Sequence, residues 1–328
     1  MSPPRSVIWL VTGRCNLACS HCYAQRFTQR RGLTRERATA LIAQGASIGV
    51  RHLGLAGGEP LLREDVLEII HQARSLGMET NLVTNGGLLT PTIAAALAEE
   101  QVEVIVSLDG ARAETHDRRR GTGSYDRALR GIARLQAAGV VYRTVFAIGT
   151  DNYMEACEYF ALSRSLGADS SCFIPVMPAG RAGPGLVPSP PQLADTLRWI
   201  AREAKHLKQP VQLWCLPFAP LVDGFFDRSV GYCRTSLSMD IDPVGNVLLC
   251  DVLDLTLSSA AEKGIARAWE EQCASPVVRR LANPRLSAAC STCPLGPRCR
   301  GGCFARASLM SGHLDAPDPL CPRVAGLA

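Results

Sequence analysis

The sequence has no apolar run long enough to cross a bilayer, and its short apolar stretch at residues 7–11 is followed by no cleavage-site pattern. We therefore expect no membrane segment and no signal peptide, and we predict a cytoplasmic location. Aromatic residues make up only 5% of the chain, and the basic residues, 32 arginines but only three lysines, are scattered. Nucleic-acid-binding proteins usually carry a basic stripe with interleaved aromatics, so we expect no nucleic-acid partner.

Cysteine, in contrast, is abundant, with fourteen residues in 328. In an exported domain this number would indicate disulfides. Because the chain shows no export signal and ten of the cysteines fall into tight local groups, the spacing instead predicts ligation of metal ions or iron–sulfur clusters.

The first half of the chain alternates strand-like with helix-like segments. The predicted strands are residues 7–11, 52–56, 79–84, 102–108, 140–148 and 171–175. The predicted helices between them are residues 34–45, 63–76, 91–100, 125–138 and 154–166. This alternation predicts an α/β fold with right-handed crossovers, a partial (β/α)6 parallel barrel whose active site lies at the carboxyl ends of the strands.

The second half of the chain changes in character. Residues 178–191 are rich in proline and glycine and are predicted to be a linker, and residues 192–208 a helix. From residue 232 onward short runs, turns and cysteines predominate, which is typical of a small domain held together by metal centres. We predict a core at residues 1–190, a bridging region at 191–232 and a small C-terminal cysteine-rich iron–sulfur domain at 233–328.

The first cysteine group directly follows the first predicted strand. Cys15, Cys19 and Cys22 have the spacing C-x3-C-x2-C. Three thiolates would hold three irons of a [4Fe–4S] cluster and leave the fourth iron open to another ligand. A zinc site is the alternative, with His21 as fourth ligand, but His21 lies between two of the cysteines and would strain the loop.

Residues 15–23, CNLACSHCY, resemble the signature of the radical S-adenosylmethionine (SAM) superfamily, and its other motifs follow in order at successive strand ends. This resemblance covers about residues 7–180. It implies a [4Fe–4S] cluster that donates an electron to bound SAM, forming a 5′-deoxyadenosyl radical that removes a hydrogen atom from the substrate. The residues that match its cofactor-binding motifs are Gly57, Gly58, Glu59, Pro60, Thr84, Asn85, Ser107, Asp109 and Asn152.

The second cysteine group has the pattern C-x11-G-x4-C, then C-x2-C-x5-C-x3-C, then a final cysteine. A structural zinc site is the simplest alternative, but seven cysteines are too many for one zinc ion and indicate two interleaved centres. The pattern resembles the SPASM extension of radical SAM enzymes, which implies two auxiliary [4Fe–4S] clusters and three clusters in all. The implied ligands are Cys233, Cys250 and Cys303 for the inner auxiliary cluster, and Cys290, Cys293, Cys299 and Cys321 for the outer one.

The inner auxiliary cluster lacks a fourth ligand in this pattern, and Cys215 is the best local candidate; otherwise the iron is open. Cys157, Cys172 and Cys273 are interpreted as small apolar residues. Asp251 directly follows Cys250, and in anaerobic sulfatase-maturating enzymes an aspartate at the corresponding position is the general base. Asp251 is therefore a candidate catalytic residue, with a solvated turn aspartate as the alternative.

Enzymes with this extension mostly modify peptides or proteins by oxidation, cross-linking or epimerisation. We therefore predict a peptide or protein substrate and a reductant such as ferredoxin or flavodoxin. Since the cluster motif begins at Cys15, we expect a peptide substrate to need either a separate peptide-recognition protein or a short recognition sequence. The stretches at 178–182, 301–307 and 318–322 are similar to those of a second branch that modifies tetrapyrrole side chains in haem synthesis. A non-catalytic iron–sulfur electron carrier is a further alternative, which the intact motif at 57–60 argues against.

Overall fold

The computed structural model describes residues 3–234 and 238–327. The strands are β1 (Ser6–Thr12), β2 (His52–Gly57), β3 (Glu79–Thr84), β4 (Glu103–Ser107), β5 (Tyr142–Ile148), β6 (Ser170–Pro175), β7 (Val211–Leu213), β8 (Ser238–Ile241), β9 (Asn246–Leu248) and β10 (Thr256–Ser259). The helices are α1 (Arg35–Ser47), α2 (Val66–Ser75), α3 (Pro91–Glu99), α4 (Ala113–Arg120), α5 (Ser124–Ala137), α6 (Ala156–Ser165), α7 (Pro190–Leu207), α8 (Ala260–Lys263), α9 (Ile265–Ala274), α10 (Pro276–Ala282), α11 (Ala288–Ser291), α12 (Gly296–Cys299) and α13 (Phe304–Ser311).

The strands form one sheet in the order β10-β9-β8-β1-β2-β3-β4-β5-β6-β7. Strands β1 to β6 run parallel, as the alternation of strands and helices predicted; β7, which the sequence did not predict, pairs parallel with β6, and β8 pairs parallel with β1. The pairings of β8 with β9 and of β9 with β10 are antiparallel. The cysteine-rich half of the chain thus adds three strands to the sheet that the first half begins.

The two faces of the sheet follow from the alternation of side chains along each strand. On one face Trp9, Leu55, Leu82 and Val104 pack into a core shared with the helices. The opposite face carries a smaller apolar cluster formed by Ile105, Val145 and Cys172, with Val83, Ile174 and Trp214 packed against it. Because the strands are parallel, their carboxyl ends all lie at one edge of the sheet.

Helix signals in the sequence act locally, as the first helix shows. Thr34 caps α1 by accepting a hydrogen bond from the Arg37 backbone N–H, which satisfies one of the free donors of the first turn. Helix α4, which the sequence did not predict, carries the segment AETHDRRR and has no apolar stripe. In the described part of the chain, no helix is long and apolar enough to cross a membrane.

Candidate active site

The loop after β1 carries the first cysteine group. Cys15 is exposed, Cys19 is buried and Cys22 is half-buried, and all fourteen cysteines of the chain are free thiols. The Cys22 backbone N–H donates to the Cys19 carbonyl at 3.3 Å, and the Leu17 N–H points at the Cys15 sulfur at 3.4 Å. The loop therefore coils back on itself within eight residues, an arrangement suited to three thiolate ligands on one cluster.

The segment predicted as a linker approaches this loop closely. The Arg181 N–H donates to the Cys22 carbonyl at 3.0 Å. Gly180 has a φ of +64°, and a Cβ there would lie 2.2 Å from the same carbonyl oxygen. Only glycine fits this position, so the sequence after β6 covers the cysteine loop rather than only connecting two regions.

The end of β2 packs against the start of the cysteine loop through two glycines. Gly57 has a φ of +137°, and a Cβ at Gly58 would lie 2.1 Å from the Arg14 carbonyl oxygen. The Gly58 and Glu59 N–H groups donate to the Thr12 and Arg14 carbonyls at 2.8 and 2.7 Å. The glycines thus let the end of β2 lie directly beside the cysteine loop.

Glu59 is 1% exposed and connects the ends of β2 and β3. Its carboxylate accepts hydrogen bonds from the Thr84 hydroxyl at 2.7 Å, the Asn85 N–H at 2.8 Å and the Leu61 N–H at 3.2 Å. Burial raises its pKa, and the donors from Asn85 and Thr84 oppose that rise. Pro60 begins the short 3-10 turn that places the Leu61 donor.

Asn85 extends from this edge to the cysteine loop, because its side-chain amide donates to Asn16 Oδ1 at 2.8 Å. The other end of the loop contacts Asp109, which follows β4 and is fully buried. His21 Nε2 lies 3.0 Å and Arg120 Nε 2.6 Å from the Asp109 carboxylate. Ser107, two residues earlier, is buried at the end of β4.

The charge of Asp109 is stabilised despite its burial. The Arg120 guanidinium and His21 hold the pKa of Asp109 well below its usual range, against the opposing effect of burial. The Ala147 N–H also donates to the carboxylate at 2.8 Å. Arg120 Nη1 lies 4.0 Å from the Cys19 sulfur. A fixed cation therefore lies beside one of the predicted cluster ligands, where it favours the thiolate.

Asn152 lies in the turn after β5 and is 2% exposed. Its amide donates to the Asp109 and Ala147 carbonyls at 2.9 and 3.0 Å, and its oxygen accepts the Gly149 N–H at 2.7 Å. These three bonds use its polar atoms to fix the strand ends. Its place in the structure is therefore that of a support for Asp109.

The inner auxiliary cysteines also lie together. Cys215, which has an unusual φ of +56°, shares a hydrogen bond with Cys303. That bond and the Arg306 cation hold the pKa of Cys303 at about 7 against the effect of burial. The Cys233 and Cys250 thiols are close enough to add to the raised pKa of Cys215. Arg306 fixes the arrangement by donating to the Cys215 carbonyl at 2.9 Å.

Asp251 lies between this group and the first cysteine loop. The Tyr23 hydroxyl, next to Cys22 in sequence, donates to the Asp251 carboxylate at 2.7 Å. The other carboxylate oxygen lies 3.7 Å from the Cys250 sulfur. Burial raises the pKa of Asp251, whereas the hydrogen bond from Tyr23 lowers it.

A second carboxylate, Asp240 on β8, lies beside Asp251 and accepts its N–H at 3.0 Å. Burial and the neighbouring Asp251 raise the pKa of Asp240 to about 8. Arg26 holds the same loop from the other side by donating to the carbonyls of Asp251, Val252 and Leu253. Sequence reasoning missed Tyr23, Arg26 and Asp240, since only tertiary packing brings them to Asp251.

The outer auxiliary cysteines line one small cavity in the C-terminal region. Cys290, Cys293, Cys299 and Cys321 all contribute to its wall. Cys303, only four residues after Cys299, instead joins the inner group, because Gly301 and Gly302 turn the chain with φ values of +92° and +86°. The two groups therefore interleave along the sequence but separate in space, which suits two four-iron clusters with thiolate ligands.

The three remaining cysteines lie apart from these groups. Cys172 is buried on β6, Cys273 is half-buried on α9 against the main core, and Cys157 is half-buried on α6. Burial raises the pKa of Cys172 to about 12, so this thiol stays protonated and behaves as a small apolar residue.

The chain is similar to known proteins in sequence and in fold. Residues 9–160 match the model of the radical SAM superfamily. The chain is 32% identical to an AdoMet-dependent heme synthase of Methanosarcina barkeri, covering 97% of this chain and 96% of that protein. It is 30% identical to the mycofactocin maturase MftC of Mycobacterium tuberculosis, covering 98% of this chain and 83% of that protein.

Among solved structures, Streptococcus suis SuiB bound to its precursor peptide SuiA has a similar fold, with a TM-score of 0.81, 17% identity, and coverage of 98% of this chain and 76% of SuiB. The chain belongs to the radical SAM superfamily and is an enzyme of that class. Its fold is that of the enzymes with the C-terminal cysteine-rich extension, and the interpretation as a non-catalytic carrier is set aside.

Proposed function

We propose that this enzyme reductively cleaves SAM and abstracts a hydrogen atom from a peptide or protein, leading to its oxidation, cross-linking or epimerisation. The observation that carries this proposal is the hydrogen bond from Tyr23 to Asp251, which joins the first cysteine loop to the inner auxiliary group. A substrate held beside Asp251 would lie next to both predicted cluster sites.

Cys15, Cys19 and Cys22 are the proposed ligands of the SAM-cleaving cluster. A [4Fe–4S] cluster held by these thiolates would supply the electron for reductive cleavage of SAM to methionine and the 5′-deoxyadenosyl radical, which would serve as the hydrogen-abstracting agent. The residues proposed to line the SAM site lie at the neighbouring strand ends: Gly57, Gly58, Glu59, Pro60, Thr84, Asn85, Ser107, Asp109 and Asn152. Their mutual hydrogen bonds fix the site before any ligand enters, which lowers the entropic cost of binding.

The free thiols also fit two further [4Fe–4S] clusters, three in all. Cys215, with Cys233, Cys250 and Cys303, would complete four ligands for the inner auxiliary cluster, and its contact with Cys303 supports that role. The four cysteines that line the C-terminal cavity would hold the outer one. Each ligand must lose its proton on binding, so cluster assembly releases protons.

Asp251 is the proposed general base. Oxidation of a substrate radical releases a proton, and a carboxylate whose pKa is raised by burial is a stronger base at neutral pH. Tyr23 and the Arg26 contacts hold Asp251 and its loop in place. A solvated turn aspartate would not have a pKa raised by burial, so the raised pKa of Asp251 favours the catalytic role.

A tetrapyrrole substrate is the second candidate function. The observation that favours it is the 32% identity to a heme synthase across nearly the whole of both chains. The peptide proposal draws instead on the relation to MftC and on the fold shared with SuiB, which binds a precursor peptide. A separate peptide-recognition protein is part of the peptide proposal.

An acidic electron-transfer protein, such as a ferredoxin or flavodoxin of the cytoplasm, is the proposed reductant. Residues 275–327 hold seven arginines and two aspartates, so their net charge of +5 equals that of the whole chain. Arg323 lines the cavity of the outer auxiliary cysteines, and Arg298 and Arg300 flank Cys299. In the described part of the chain, Arg300 and Arg323 form no ion pair, so their charge is available to an acidic partner.

The first experiment is to measure iron and sulfide per chain after anaerobic reconstitution. About twelve irons would support three four-iron clusters, whereas about four irons, or zinc in place of iron, would contradict the auxiliary assignment. Deuterium transfer into 5′-deoxyadenosine then separates the substrates. Transfer from a deuterated precursor peptide supports the peptide proposal, and transfer only from a propionate-bearing iron tetrapyrrole would replace it with the second candidate.

A further inference from the structure

Arg234 is a buried cation with unused hydrogen-bond donors. It follows Cys233 directly and is 6% exposed. Its Nε donates to the Gly302 carbonyl at 3.0 Å, and its guanidinium lies 5.9 Å from the centre of the Phe304 ring. Among the described residues, no hydrogen-bond acceptor contacts either terminal nitrogen, Nη1 or Nη2. Burying an unpaired cation is costly, so an anionic partner is expected at these two atoms.

The acidic groups that stabilise the Arg234 cation are Cys303, Cys299, Asp315 and Asp318. Both aspartates are already paired: Asp318 with the fully buried Arg306, and Asp315 with Arg280 at the surface. The two thiols therefore remain as partners, and they belong to different groups. Cys303 is in the inner auxiliary group and Cys299 lines the outer cavity.

The backbone leaves room for this cation between the two groups. A Cβ at Gly301 would lie 3.7 Å from Nη2 of Arg234, and Gly301 separates Cys299 from Cys303 along the chain. The guanidinium thus lies against the turn that sends these two cysteines to different centres. A planar group with several N–H donors suits contacts to sulfur on two sides better than a lysine would.

We infer that Arg234 lies between the two auxiliary clusters, donates its free N–H groups to their sulfur atoms, and raises their reduction potentials. This inference rests on the proposed function, because it requires both clusters. Reduction adds negative charge to a cluster, and both a nearby cation and hydrogen bonds to the sulfurs stabilise the reduced state more than the oxidised one. Arg234 is a positioning and tuning residue for electron passage between the clusters and has no contact with substrate in this role.

The test is a redox titration, monitored by electron paramagnetic resonance, of the reconstituted full-length enzyme and its Arg234→Gln variant. At a fixed potential we expect the reduced-to-oxidised ratio of both auxiliary clusters to fall about tenfold in the variant, which corresponds to 59 mV for a one-electron couple. The SAM-cleaving cluster, identified by the change in its signal when SAM is added, should keep its potential. Arg298→Gln is the matched control, because it removes an exposed arginine paired with Asp227 beside the same Cys299. In this control the reduced-to-oxidised ratio of the auxiliary clusters should change less than twofold.

Unchanged auxiliary potentials in an Arg234→Gln enzyme with full iron content would overturn the inference. If that variant loses iron, the same titration is made on Arg234→Lys, which keeps the charge but not the planar donors. A shifted potential with full iron in Arg234→Lys supports the inference, and wild-type potentials contradict it. Failure of the proposed function is recognised separately, because the wild-type enzyme would then contain about four irons or zinc before any variant is made.

Discussion

The two halves of the molecule keep their sites together by different means. At the strand ends of the first half, Glu59 and Asp109 are buried carboxylates whose oxygens accept hydrogen bonds from the protein itself. In the C-terminal region the helices after α10 span four to eight residues each, and the cysteines meet around a cavity. From this difference we expect the first site to hold its shape without a bound cluster, whereas the second would depend on the clusters proposed to bind there.

The largest expected effect comes from replacing Cys15, Cys19 and Cys22 by alanine together. We expect SAM cleavage to be abolished, because these three thiols are the proposed ligands of the SAM-cleaving cluster. The fold should persist, since the hydrogen bonds of Glu59 and Asp109 do not involve these thiols. Chromatography of 5′-deoxyadenosine under dithionite and a thermal melt measure the two effects, and iron should fall from about twelve to about eight per chain.

Persistent cleavage in the triple variant would contradict the central assignment. A large drop in the melting temperature would instead contradict the comparison, because it would mean that the first site also needs its cluster to fold.

For Cys290→Ala combined with Cys321→Ala we expect the local structure to be lost, in contrast to the triple variant of the first site. Without the outer cluster, amide hydrogen exchange over residues 276–327 should increase strongly, while exchange in β1 to β6 stays slow. The control is Cys157→Ala with Cys273→Ala, which removes two thiols outside the groups and should leave exchange and iron content unchanged. Equal protection of residues 276–327 with and without iron would show that this region is built by the chain after all.

The same contrast explains what could be predicted from the sequence. Strands β1 to β6 were recognisable because their apolar runs alternate with helices of regular periodicity. Helix α4 was missed because its buried residues, Thr115, His116 and Arg119, are held by polar contacts rather than by an apolar stripe. Strands β7 and β8, with three and four residues, are too short to show periodicity.

At the site, the cysteine groups were visible as spacings, and Cys215 could be suggested from its place in the sequence. The contacts of Asp251 could not be predicted from the sequence, because Tyr23 lies 228 residues away from it along the chain. Arg234 could not be singled out either, since one arginine among 32 carries no signal until its burial is known.

An intermediate effect is expected for Asp251→Asn, which tests the residue that joins the two halves through its hydrogen bond from Tyr23. If Asp251 is the base, product should fall by about 10²- to 10⁴-fold while uncoupled cleavage of SAM continues. Asp254→Asn is the matched control, because Asp254 is 71% exposed in the same loop and should leave product formation unchanged. The ratio of product to 5′-deoxyadenosine is the measurement, and an unchanged ratio in Asp251→Asn would exclude the role.

A smaller effect is expected for the reductant. Reversal of charge in Arg279→Glu with Arg285→Glu, both exposed, should slow reduction by an acidic flavodoxin several-fold at low salt. Reduction by dithionite, which needs no protein docking, should keep its rate. The control reverses Arg130 and Arg202, exposed on α5 and α7 in the first two-thirds of the chain. Equal slowing by both pairs would mean that net charge, not this surface, governs the reaction.

The smallest expected effect is a pH dependence of folding in the first half, at His116. Its Nδ1 accepts the Asp109 N–H at 3.1 Å, and burial, with the Arg120 cation, lowers the pKa of His116 to about 4. An unfolded histidine has a pKa near 6.5, so the unfolded chain binds the extra proton between about pH 6.5 and 4. Stability should therefore fall as the pH falls through this window, by at most about 3 kcal/mol from this group.

His116→Gln offers a test, because glutamine can accept the same hydrogen bond without titrating. In urea unfolding of the iron-free proteins, the free energy of unfolding of the variant should depend less on pH between 6.5 and 4 than that of the wild type. The slopes of stability against pH are compared, and not the stabilities at one pH. Loss of the ring packing against Tyr125, 5.6 Å away between ring centres, lowers the stability of the variant at every pH. Equal pH slopes in the two proteins would mean that the first half is held together without a contribution from this neutral, buried histidine.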